Sequence, residues 1–141
     1  MEGGIFHAST GWEHLLPPGL RQLRDPWAAC RGQWDFLVLT PLGCRMLAGQ
    51  AVTAAVLLLP GDCGANGFRA ETVVTYGLSP RDSITFSSLR EPVLCVQRTL
   101  PLLRGGVLEP QEFPLPGLAG AEGLLPCVSA RLLWTGSPYP L

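Results

Sequence analysis

Apolar residues are distributed along the chain in two regimes. Between Asp35 and Gly77 they form short runs: Phe36-Leu37-Val38-Leu39, Val56-Leu57-Leu58-Leu59 and Thr72-Val73-Val74-Thr75-Tyr76. Runs of this length, each followed by proline or glycine punctuation, predict strands covered on both faces, as in a parallel sheet. Between the first two, Met46, Leu47, Ala48, Ala51, Val52 and Ala55 recur at roughly helical spacing and predict a helix over Arg45–Ala55. After Gly77 the pattern changes. Ser83-Ile84-Thr85-Phe86-Ser87 alternates apolar with polar, the period of a strand with one wet face. Pro92–Arg98 predicts another strand. Leu100–Leu103 and Val107–Phe113, joined by Arg104-Gly105-Gly106, predict a hairpin whose second arm, bracketed by Pro110 and Pro114, lies at a sheet edge. Leu124–Trp134 predicts a closing helix with Pro126 in its first turn. The expected fold is α/β: a small Rossmann-like sheet in two or three layers, with a parallel core and an antiparallel extension.

Residues 1–34 carry no such periodicity. Pro17-Pro18-Gly19 interrupts the segment, and Pro26 ends any helix begun over Leu20–Asp25. An irregular, tryptophan-rich segment is expected here, packed on a single α/β domain spanning 35–141. Trp12, Trp27 and Trp34 supply its packing surface, and at least two of them are expected to be buried.

Composition narrows the function classes. The chain has 141 residues, 47% apolar and 15% charged, enough apolar surface for one packed domain. Its net charge of −1 gives no electrostatic footprint for nucleic acid or a membrane surface. All ten basic residues are arginine, so no lysine is present to form a Schiff base or to hold a nucleotide phosphate. Cys30, Cys44, Cys63, Cys95 and Cys127 contain no close pair of the kind zinc sites use. They read as small buried thiols of a reduced, cytoplasmic protein. Met1–Thr10 lacks a basic and an apolar stretch, so no signal peptide is expected. No metal and no cofactor are expected.

Candidate chemistry concentrates in Pro60-Gly61-Asp62-Cys63-Gly64-Ala65-Asn66-Gly67, where three glycines follow a buried strand. Parallel sheets present ligand loops at such positions, and amides freed by glycine can cradle a phosphate. Gly61, Asp62, Gly64, Asn66 and Gly67 are therefore ligand-binding candidates. The loop lacks a GK[ST] ending, and affinity for ATP no tighter than roughly millimolar is expected. No catalytic constellation stands out. Gly77-Leu78-Ser79-Pro80 is not a nucleophile elbow, and His7 and His14 have no evident acidic partners for a triad or metal.

The run Thr72–Ser88, TVVTYGLSPRDSITFSS, resembles one passage of the Mur ligase central domain. There a late core strand ends in a TYG- or TFG-like turn, an acidic residue follows, and the chain leaves into antiparallel strands. Tyr76, Gly77 and Asp82 are the matching positions, and Tyr76 and Asp82 join the ligand-binding candidates. Mur ligases carry the GK[ST] loop that this chain lacks. The resemblance therefore implies a scaffold without the ATP chemistry: a non-catalytic Mur-ligase-like domain that binds a protein partner or itself. The alternative is a small enzyme, or a nucleotide- or phosphate-ligand-binding protein, using the Gly61–Gly67 loop.

Overall fold

The computed structural model describes residues 1–64 and 67–139. Among the described residues, ten strands, three helices and a short 3-10 turn follow one another. They are β1 (Gly3–Phe6), β2 (Leu20–Leu23), α1 (Pro26–Arg31), β3 (Gln33–Leu39), α2 (Pro41–Met46), β4 (Val52–Pro60), β5 (Phe68–Tyr76), β6 (Ile84–Ser88), β7 (Val93–Val96), β8 (Leu100–Pro101), β9 (Val107–Leu108), β10 (Gln111–Pro114) and α3 (Leu125–Thr135), with the 3-10 turn at Ala121–Leu124. Eight strands form one sheet in the order β10-β7-β6-β5-β4-β3-β1-β2. From β2 to β6 every neighbouring pair is parallel, and β6-β7 and β7-β10 are antiparallel. The α/β architecture with a parallel core and an antiparallel extension is the one expected.

Alternation along the strands sorts the interior into two cores. Phe36, Val38, Leu58 and Val74 point to the face covered by α3 and by Trp12, Leu15 and Leu16. Leu37, Leu39, Leu57 and Leu59 point to the other face, with Cys44 of α2 and Ala29 of α1. Toward β5 that second cover ends, leaving Arg69, Glu71 and Val73 exposed. The β8–β9 pair turns through Gly105 and Gly106, both at positive φ. Its continuation leaves the hairpin and becomes edge strand β10 beside β7. No helix among the described residues is long and apolar enough to cross a membrane.

Three expectations need correction. Residues 1–34 are not irregular: they supply β2 and also β1, which lies inside the sheet between β2 and β3. Gly3 and Gly4 make this possible. A Cβ on Gly3 would run into the Trp134 ring, and one on Gly4 would sit 2.9 Å from Leu23 and 3.1 Å from Trp34. The glycines thus let a large ring lie against β1 on each face, with Trp134 stacked on Phe36 at 5.9 Å. Pro26 does not end a helix but opens one, with Asp25 as its cap accepting from Trp27 N at 3.0 Å. Finally, no helix covers Arg45–Ala55. Helix α2 starts earlier, where Thr40 Oγ1 accepts from Gly43 N at 3.1 Å, and ends by Met46. Gly49 at φ +80 then turns the chain, and Val52–Ala55 pair with β5 as the first part of β4. Pairing on both sides outweighs the helical spacing of the alanines.

Of the tryptophans, Trp12 and Trp34 are buried and Trp27 is 66% exposed. Two Trp134 and Arg131 contacts also fix the N-terminal segment. Trp134 Nε1 donates to Pro18 O at 3.0 Å and Arg131 Nη1 to Leu15 O at 3.0 Å.

Candidate ligand-binding site

Because β1, β3, β4 and β5 run parallel, their carboxyl ends emerge together along one edge of the sheet. The residues that follow them are His7, Thr40, Gly61 and Gly77, and all four line a cleft of about 1000 Å³. This is the edge at which open α/β sheets place ligands. Thr40, Pro41 and the 60–62 segment form one side with Arg45 and Leu42 of α2. Ser9, Thr10 and Trp12 after β1, and Leu125 and Pro126 of α3, form the other.

The floor is rigid for identifiable reasons. Tyr76 is buried, and its hydroxyl donates to Leu39 O at 2.7 Å, reaching past β4 to tie β5 to β3. Burial, with the nearby Asp62 carboxylate acting in the same direction, pushes the Tyr76 hydroxyl pKa far up, so it stays a neutral donor. Thr40 Oγ1 donates to His7 O at 2.8 Å, locking the β1 and β3 ends together. Among the described residues His7 is the one non-glycine at positive φ, at +64. Such backbone costs about 1 kcal/mol and recurs at functional sites.

Asp82 occupies a socket between two glycines. Its carboxylate lies where a Cβ on Gly61 or on Gly77 would have to be. Oδ2 accepts from Ser79 N at 3.1 Å, and the Asp82 carbonyl accepts from Gln97 Nε2 at 2.6 Å. The cleft carries Arg24, Arg45 and Arg81 together with Asp62, Asp82 and Glu122. Among the described residues the sole ion pair is Arg21–Glu2, neither of which lines the cleft, so none of these six charges is paired with another.

The candidate set is divided by the structure. Gly61, Asp62, Tyr76 and Asp82 meet in the cleft. Gly67 does not: it lies at the amino end of the sheet, where its carbonyl accepts from Val52 N at 3.4 Å. Gly64 is exposed and lines no part of the cleft, and Asn66 lies outside the described residues. Gly61 and Gly67 therefore stand at opposite ends of the sheet and do not meet in one cradle. His7, Ser9, Thr10, Arg24, Thr40, Arg45 and Arg81 were not among the candidates. Their only sequence signal was position after a strand, and β1 was not recognisable as one.

Cys44 and Cys63 form a disulfide, with Cα atoms 6.4 Å apart. This corrects the expectation of free thiols throughout. Nineteen positions separate the two, so no local motif marks them. The β3-α2-β4 crossover brings α2 back over the end of β4, and the bond pins that side of the cleft. Cys30, Cys95 and Cys127 are free. Burial pushes the Cys127 thiol up to about 12 despite the opposing pull of Arg131, leaving it neutral and inert.

No protein-family model, curated protein or solved structure matches the chain.

Proposed function

We propose that this chain is a ligand-binding α/β domain, and that the cleft at the carboxyl edge of its parallel strands is the binding site. One observation carries the reading: three arginines and three carboxylates surround a sizeable cleft and form no ion pairs with one another. Charges that served only stability or solubility would gain nothing from converging on one concavity. The floor beneath them is held by the Tyr76 and Thr40 hydrogen bonds, so the site is formed before a ligand arrives. The role proposed is binding rather than catalysis. Similarity to the Mur ligase central domain is part of the same proposal, supported by the passage from parallel β5 through the Tyr76-Gly77 turn into antiparallel β6 and β7.

A melting-temperature screen over organic phosphates, carboxylates, sugars and amino acids tests this. A ligand at ~100 times its Kd adds about 2.7 kcal/mol and raises the transition by several degrees. ATP is expected to give no shift at micromolar concentration. If no class of small molecule shifts the transition, the reading fails.

A second reading, binding to a protein partner or to a second copy, rests on Trp27. Its ring is 66% exposed and carries the Arg31 guanidinium at 5.7 Å, beside the open edge strand β2. Aromatic and arginine side chains are the residues that anchor protein interfaces. A Trp27→Ala variant that lost self-association or partner capture would favour it. A cytoplasmic location is also a proposal, and it makes the Cys44–Cys63 bond a target of cellular thiol reductants.

A further inference from the structure

The identity of the ligand can be narrowed by where the acidic and basic groups of the cleft lie along the sheet edge. This step rests on the cleft being a binding site. Asp82 as a whole residue is 4% exposed. Its Oδ2 is engaged by Ser79 N, whereas among the described residues Oδ1 accepts no hydrogen bond. Oδ1 is not sealed from solvent, so it stands as a free carboxylate acceptor for a donor that enters the cleft. Asp82 lines the cleft between the side-chain-free Gly61 and Gly77. Asp62, exposed on the same loop as Gly61, adds negative charge at this end.

Arg81 neighbours Asp82 in the chain and Arg45 stands on α2, while His7 and Arg24 lie toward the other end. His7 follows β1, and Arg24 follows β2. Arg24 spends one N–H on Ala8 O, at 2.8 Å, which holds its guanidinium across the loop after β1. A guanidinium has five N–H donors, so most of its fork is left for an anion. Asp82 sits over the ends of β4 and β5, with β3 intervening before β1 and β2. At ~4.8 Å per strand, the acceptor and the cationic pole are roughly 10–17 Å apart. Leu42 and Leu78, both exposed, add apolar surface to the lining of the cleft.

We infer that the cleft takes an organic anion with a hydrogen-bond-donating head, hydroxyl or ammonium: the head on Asp82, the anionic group on Arg24 and His7. A free inorganic anion would occupy the basic end alone, and a neutral sugar the acidic end alone.

Isothermal titration with glucose 6-phosphate and 6-aminohexanoate tests this against their halves: inorganic phosphate, glucose, butylamine and acetate. The two bifunctional probes distinguish a hydroxyl head from an ammonium head. At least one is expected to bind tenfold or more tightly than either of its halves. Asp82→Asn, which keeps the shape and removes the charge, should abolish that advantage while leaving phosphate affinity within twofold. Arg24→Ala should weaken phosphate and the bifunctional probe alike. Arg24 is exposed, so this variant keeps the test open if Asp82→Asn does not fold. If halves bind in the cleft but neither bifunctional probe exceeds them, the inference falls and the binding site stands. If nothing binds there, both fall.

Discussion

Deleting residues 1–33 is expected to leave a chain that does not fold. The cut removes β1 and β2 and turns β3, now central, into an edge strand. It also removes Ile5, Phe6, Trp12, Leu15, Leu16, Leu20 and Leu23 from the two cores. Buried side chains of this size contribute about 1.5–3 kcal/mol each, so their sum of roughly 10–21 kcal/mol is at least comparable to the ~5–15 kcal/mol by which domains are stable. Arg131 and Trp134 would lose their carbonyl partners as well. The 34–141 fragment should show no cooperative thermal transition. A fragment that melts cooperatively would mean that the N-terminal segment is an appendage.

The second large effect is expected at the Asp82 socket. Gly61→Ala and Gly77→Ala each place a methyl group on the Asp82 carboxylate, which must shift out of its socket. Overpacking and the loss of the Ser79 N hydrogen bond together cost about 3 kcal/mol, or roughly 10 °C in melting temperature for a domain of this size. Gly64→Ala is the internal control, since a Cβ there meets nothing within 4 Å. It should change the transition by less than about 2 °C. Equal melting temperatures for Gly61→Ala and Gly64→Ala would remove Asp82 from the floor of the cleft.

Much of the sheet was legible because its signals were local. Phe36–Leu39 and Val56–Leu59 lie within β3 and β4, and the alternating stretch 83–87 falls on β6, although Ser83 and Thr85 are buried and the face expected to be wet is covered there. The Gly105-Gly106 turn and the proline-marked edge of β10 were legible for the same reason. Strand β1 was hidden because half of it is glycine. Gly3 and Gly4 are required by Trp134 and Trp34, rings that approach from residues far away in the chain. Their presence in a strand records a packing event that no window of a few residues contains. The helix expected over Arg45–Ala55 failed for a related reason. Alanine spacing is compatible with either state, and the choice was made by β3 and β5 pairing on either side of β4.

The cleft was half legible. Gly61, Asp62, Tyr76 and Asp82 were recognised through position after apolar runs and through the Tyr76-Gly77 turn, and the sheet brings them together. Its basic residues were not, because Arg24 and His7 reach the cleft only once β1 and β2 are placed inside the sheet. The disulfide escaped for the same reason, since its halves approach only when α2 returns across the end of β4.

Amide chemical-shift mapping during titration with the best ligand of the melting screen tests the cleft most directly. Shift changes are expected at His7, Thr40, Gly61, Gly77 and Ser79, the backbone positions along the carboxyl edge. Changes confined to Trp27 and the β2 edge, with those five amides unmoved, would contradict the account.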